Sequence, residues 1–264
     1  MKTSTAQLPP YEESDDKVLA TENTVIVLDG ASAFHPVPVP ASTYADTLGR
    51  SLHRTLREDP PADLREALAD AISATAHALE LSARASPTST VAIARCLEDQ
   101  VEVLVLGDSP VIMPDVIVSD DRIDALGLPE RAAYRSRLAS GSGYDETHRA
   151  LLKKLQAKQI EHRNEDGGYW IAEADPTAAH HALVYTYRLA QAPWCVLATD
   201  GAANVLNHLE LVPWSTIATK NSDELDALLQ SCHSWEALQD PHGKELPRAK
   251  LHDDKALAVA RWDN

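Results

Sequence analysis

The sequence predicts an α+β fold: a four-layer αββα sandwich of two mainly antiparallel sheets flanked by helices. Three observations carry it. The elements run strands, two helices, strands, helices, strands, which is not the alternation of a parallel α/β sheet. The apolar runs are short and separated by turn signals, as in hairpin-connected strands. A chain of 264 residues with 44% hydrophobic side chains can bury a substantial core, and no linker or repeat divides it, so one domain over 1–264 is expected.

Residues 1–12 are polar and proline-containing and are expected to be a poorly ordered tail. Val18–Ala20 and Thr24–Leu28 read as a hairpin. Val25, Ile26, Val27 and Leu28 in a row suit a strand covered on both faces. Tyr44, Leu48, Leu52 and Leu56 recur at helical spacing, and Leu64, Leu68, Ile72, Thr75 and Leu79 do so after the Asp59-Pro60-Pro61 break. Thr88–Cys96, Val101–Leu106, Val111–Met113 and Val116–Ser119 read as a β-meander. The middle of the chain is polar and helical, interrupted at Ser140–Tyr144. Beyond Gly167-Gly168, Tyr169–Asp175 is expected as a strand and Pro176–His181 as a short helix. Ala182–Leu189 is expected to pair with Trp194–Thr199. Helices over Ala202–Leu209 and Asp223–Leu238 and a closing strand over Lys255–Trp262 complete the chain.

The formal net charge is −16, from 40 acidic and 24 basic residues, which argues against a nucleic-acid or membrane partner met through a broad basic surface. The N-terminus has no apolar signal core and no run is long enough to span a bilayer, so a cytoplasmic location is expected. Cys96, Cys195 and Cys232 are scattered and odd in number, as buried thiols rather than a disulfide framework or metal motif. No GxSxG, Walker loop, GxGxxG or HExxH is present.

The chemistry-bearing pattern is a set of carboxylates at strand ends. TVIVLDG delivers Asp29-Gly30, WCVLATDG delivers Asp200-Gly201, and LHDDKALAVAR places Asp253-Asp254 just before an apolar strand. With the element order, this resembles the metal-dependent PPM, or type 2C, serine/threonine protein phosphatases over nearly the whole chain. SDDKVL at Ser14 is similar to the family's Asn-Glu-Asp segment and VLDGAS at Val27 to its first Asp-Gly. SPTSTVAIA at Ser86 is similar to its Gly-Gly-Thr-Thr strand and VLGDSPV at Val105 to its Gly-Asp-Ser strand. LATDGAANVL at Leu197 is similar to its Ser-Asp-Gly, and LHDDKALAVAR to its closing Asp-Asn/Asp segment.

The resemblance implies a phosphomonoester hydrolase acting on phosphoserine or phosphothreonine in proteins. Two Mg²⁺ or Mn²⁺ ions would activate a metal-bound water, with Asp29, Asp200 and Asp253 catalytic through it. Asp29 would bridge the ions, Gly30 would give its backbone carbonyl, and Asp200 and Asp253 would hold one ion. Asp15 and Asp16 would act on the other, and Asp108 with Asp200 on a weaker third. The alternatives are a non-catalytic PPM-like binding or regulatory module and a small-molecule phosphatase. The departures are specific. Tyr11 stands where the family often has a phosphate-binding arginine, Ser14 and Asp15 replace Asn and Glu, and Asn204 replaces a further third-metal acid. Asn164-Glu165-Asp166 spells the family motif literally but precedes Gly167-Gly168 and reads as a loop.

Overall fold

The computed structural model is described over residues 1–262. Its strands are β1 (Lys2–Leu8), β2 (Lys17–Ala20), β3 (Thr24–Leu28), β4 (Val91–Leu97), β5 (Gln100–Leu106), β6 (Val111–Met113), β7 (Val116–Val118), β8 (Leu183–Arg188), β9 (Trp194–Ala198) and β10 (Lys255–Arg261). Its helices are α1 (Ala41–Glu58), α2 (Leu64–Ala78), α3 (Arg122–Ala125), α4 (Pro129–Ala139), α5 (Glu146–Glu161), α6 (Asp200–Leu209), α7 (Trp214–Ile217) and α8 (Ser222–Leu238), with a 3₁₀ turn at Pro176–His181. The strands form two five-stranded antiparallel sheets, ordered β1-β10-β9-β6-β7 and β2-β3-β4-β5-β8.

Strand periodicity builds the four layers. Along β3, Val25 and Val27 face the opposite sheet, where they meet Cys195, Leu197, Ala258 and Ala260. Ile26 and Leu28 point the other way, onto Tyr44, Leu48 and Leu52 of α1 and Leu68 and Ile72 of α2. The second sheet repeats the division: Val196, Ala198, Leu257 and Val259 pack outward against α6 and α8. Because successive side chains leave opposite faces, strands with both faces covered must be apolar throughout, as β3, β9 and β10 nearly are. Helices α4 and α5 form a separate small cluster of Tyr134, Leu138, Leu152 and Leu155, which also receives Phe34 and Ala249. Among the described residues no helix is long and apolar enough to cross a membrane.

Four local expectations are corrected. Residues 2–8 are not a tail: β1 pairs along its whole length with β10. Its sequence hides this because a covered edge strand here buries only the small Ser4 and Ala6. The meander is split, since β5 stays in one sheet while β6 and β7 join the other through the turn at Gly107, whose φ is +88°. β8 pairs with β5 and β9 with β10 and β6, so the segment between β8 and β9 crosses between sheets instead of closing a hairpin. Tyr169–Asp175 is not a strand. It makes only isolated bridges, Ala172 to Ser89 and Tyr169 to Arg163.

Candidate active site

The acidic strand ends converge at one end of the sandwich, and local hydrogen bonding shows why. After β3 the chain turns at Asp29, whose N–H donates to Thr90 Oγ1 at 3.2 Å and whose carbonyl accepts from Thr90 N–H at 2.9 Å. Thr90 Oγ1 lies 2.6 Å from Ser109 Oγ, which fixes the Asp108 turn beside Asp29. Two glycines set the approach of the other corners. A Cβ on Gly30 would lie 2.6 Å from the Asp15 carbonyl oxygen, and one on Gly201 would lie 2.1 Å from that of Asp254. Neither contact leaves room for a side chain, so Asp15-Asp16 seats against Asp29-Gly30, and Asp200-Gly201 against Asp253-Asp254. Thr199 locks the second pair further, its Oγ1 accepting from Ala256 N–H at 2.9 Å.

Asp29, Gly30, Asp108, Asp200 and Asp253 line one cavity of about 570 Å³. Asp16 lies behind them, almost wholly buried, with Oδ2 lacking any hydrogen-bond partner among the described residues. Their charges oppose one another. Burial, then the neighbouring carboxylates Asp16, Asp200 and Asp253, hold Asp29 well above the usual carboxylate range. Asp16 is raised well above that range by burial and by Asp253, Asp254 and Asp200, with the Thr199 side chain opposing the rise. Asp200 is raised by burial and Asp253, although it occupies the first turn of α6, where the helix dipole favours a negative charge. Asp108 is pushed up to about 7 by burial and Asp200. Asp29, Asp108 and Asp200 are deep in the protein yet open to the cavity, so a cation can reach what protein atoms do not neutralise. The donor set is all oxygen, which suits hard divalent ions rather than zinc or copper. Together with the Asp16 oxygen that has no partner among the described residues, it fits hard divalent ions such as Mg²⁺ or Mn²⁺.

No protein-family model and no curated protein matches the sequence. Solved structures do match over nearly the full length. The serine/threonine phosphatase Stp1 from Staphylococcus aureus superposes with a TM-score of 0.60 at 14% identity, covering 100% of this chain and 96% of its own. The catalytic domain of the serine/threonine protein phosphatase PstP, solved with two manganese ions, matches at 0.53 and 14% identity, with 98% and 97% covered. The PPM Ser-Thr phosphatase MsPP from Mycobacterium smegmatis, in complex with cacodylate, matches at 0.53 and 16% identity, with 98% and 97% covered. The chain has the PPM phosphatase fold.

Within this PPM fold the remaining sequence-selected residues take distinct places. Asp15 is half-buried and its Oδ1 accepts from Ser42 N–H at 3.1 Å, so it caps α1 as well as bordering the acids. Asp254 is turned away from the cavity. It accepts from Ser14 Oγ at 3.0 Å and from the Asp15 N–H. Asn164 is a loop brace, as its position before two glycines suggests. Its side chain bonds the Ile171 backbone and Glu173. His252 Nδ1 donates to Glu236 Oε2 at 2.9 Å, and His252 forms a compact group with Glu236 and His233. That glutamate also accepts from Lys255 at 2.9 Å and lies 3.8 Å from Arg248, so its charge is already balanced.

Tyr11 donates to Asp46 Oδ1 at 2.6 Å and cannot serve as a cation. The cations come from elsewhere, and sequence reading missed them. Arg131 and Arg135 reach the cavity from α4, and Arg248 and Lys250 from the loop before β10. Lys250 Nζ lies 2.6 Å from Asp253 Oδ1. Its only sequence signal is its place three residues before an acid already selected.

Proposed function

We propose that the protein is a metal-dependent phosphomonoester hydrolase, acting on phosphoserine or phosphothreonine in proteins. The observation that carries this reading is the convergence of Asp29, Asp108, Asp200 and Asp253, from segments spread over the whole chain, on one cavity of a PPM fold, with the buried Asp16 close enough to act on Asp29. Asp29 and the Gly30 carbonyl, which line the cavity, would help hold the two ions. Asp200 and Asp253 would complete one site, while Asp16 and Asp15 would act on the other, and Asp108 with Asp200 on a weaker third. Two Mg²⁺ or Mn²⁺ ions held there would supply an activated water and positive charge for the phosphoryl group. The chain's own residues do the rest. Thr90 and Ser109 hold the Asp29 and Asp108 turns in register, and Thr199 fixes Asp200 against Asp253. The apolar cluster of α4 and α5 walls one side of the cavity against bulk water through Tyr134, Leu152 and Leu155.

No side-chain nucleophile is needed. Cys195 lies between the sheets and burial holds its thiol far above the usual range, while burial pushes Cys232 up to about 11. Free thiols at all three cysteines fit a reducing, cytoplasmic setting. One observation favours a second reading, a non-catalytic module of the same fold: the position of the family's phosphate-binding arginine is Tyr11, already bonded to Asp46. The test is hydrolysis of p-nitrophenyl phosphate with Mn²⁺ and after chelation. Turnover that requires Mn²⁺ and is lost in Asp200→Asn supports the enzyme; a folded protein that binds Mn²⁺ without turnover supports the module.

A further inference from the structure

We propose that Lys250 is the phosphate-binding cation of this site, and that its ammonium is a resident counter-ion of Asp253 which an incoming divalent ion displaces towards the substrate. The inference rests on the metal-dependent reading above. It starts from elimination among the cations near the acids. Lys17 Nζ is committed to the backbone carbonyls of Tyr11 and Ser14 and sits under the Tyr11 ring. Arg248 spends its fork on Leu251, Leu246 and Asp240, so its donors point away from the acids. Arg131 is held at α3 by Asp124 and the Ile123 carbonyl, so although its charge reaches Asp108 and Asp200 it makes no direct bond to them among the described residues. Arg135 lines the cavity from α4 but is exposed, so solvent screens its charge from the acids.

Lys250 differs in three respects. Its ammonium makes one hydrogen bond among the described residues, to Asp253 Oδ1, leaving two donors for another acceptor. Bonded to Asp253, it sits beside the acid set, with its charge acting on Asp15, Asp29 and Asp200 as well. The pair is about one-third exposed on each side, so the lysine can move without unpacking the core.

A divalent ion bound by Asp253 repels the ammonium from that carboxylate. The four-carbon stem lets it swing by several ångströms while its charge stays in the cavity, where a phosphate monoester dianion is the strongest acceptor available. A planar arginine fork, by contrast, binds phosphate in a fixed bidentate pose and cannot double as a movable counter-ion. The same side chain thus offsets acid repulsion before metal binding and grips phosphate afterwards.

The experiment measures Mn²⁺ binding by calorimetry on wild type, Lys250→Met and Lys250→Arg, and then inorganic phosphate binding to each Mn²⁺-loaded protein. Circular dichroism checks the fold. Removing the competing cation should tighten Mn²⁺ binding, and removing the phosphate ligand should weaken phosphate binding, each by about tenfold or more in Lys250→Met. Lys250→Arg should keep phosphate binding within a few-fold, and KM for p-nitrophenyl phosphate should rise in the Met variant alone. Unchanged phosphate affinity in a folded, Mn²⁺-loaded Lys250→Met protein overturns the assignment and leaves the metal-dependent reading intact. Failure of wild type and both variants to bind Mn²⁺ overturns both.

Discussion

Replacing Asp108 with Asn should stabilise the metal-free protein, and do so more at alkaline than at acidic pH. In the fold, burial and the adjacent Asp200 move this carboxyl from 3.8 to about 7. A group whose folded value lies above its unfolded one contributes stability that is complete below the unfolded value and is lost as pH rises through the folded value. Between about pH 4 and pH 7 the unfolded chain therefore ionises where the fold resists. Asn has no such ionisation in either state, so Asp108→Asn should gain up to ~4 kcal/mol at about pH 8 and roughly 2 kcal/mol at about pH 5. These are ceilings, because the cavity admits water to the carboxyl. For a chain of this size the larger figure corresponds to a melting-temperature rise of at most ~10 °C. The assay is thermal unfolding by circular dichroism after chelation, at both pH values. A variant no more stable than wild type at about pH 8, or one with the same gain at both pH values, would refute the electrostatic account of this acid set. Saturating Mn²⁺ should narrow the gap, since a cation neutralises the neighbours of Asp108.

Three other outcomes follow from the same geometry. Asp253→Asn should abolish metal-dependent hydrolysis. Asp254→Asn should keep most of it and instead lower stability by about 1 kcal/mol, because Asp254 accepts from Ser14 and Asp15 and not from the cavity; the reverse ranking would exchange their roles. Gly201→Ala should weaken Mn²⁺ binding by at least about tenfold while keeping the fold, because its Cβ would lie 2.1 Å from the Asp254 carbonyl oxygen and 3.1 Å from Asp253 Cβ and so push the Asp200 turn away from Asp253. Calorimetry showing wild-type affinity would remove the case for this close approach. Rapid quenching with ³²P-labelled substrate should find no phosphoenzyme, and Cys96→Ser, Cys195→Ser and Cys232→Ser should each retain activity. Stoichiometric label on the protein would sink the activated-water mechanism.

Much of this architecture was legible because burial on both faces writes itself into composition. Val25 to Leu28 admit little but a doubly covered strand, and Asp29-Gly30 mark where it must end. The α1 stripe of Tyr44, Leu48, Leu52 and Leu56 is equally direct, and all four side chains are buried. What was not legible depends on partner choice rather than on local pattern. β5 and β6 are both short apolar strands, and nothing in Val101–Leu106 or Val111–Met113 tells which sheet each joins. β1 was hidden by its polar side chains, since an edge strand is held mainly by its backbone ladder. In the site, the acids announced themselves through strand-end position. Lys250 did not, because a lysine near an acid is ordinary in sequence and acquires meaning only when the loop before β10 folds it over Asp253.

Diffraction from crystals grown with Mn²⁺, with anomalous data at the manganese edge, is the most direct test of the central claim. The account predicts two strong anomalous peaks in the cavity, with oxygen atoms of Asp29, Asp200 and Asp253 and the Gly30 carbonyl at ~2.0–2.6 Å from one or both ions. Peaks absent from this cavity at saturating Mn²⁺, or these carboxylates more than about 8 Å apart and so unable to share a site, would contradict it.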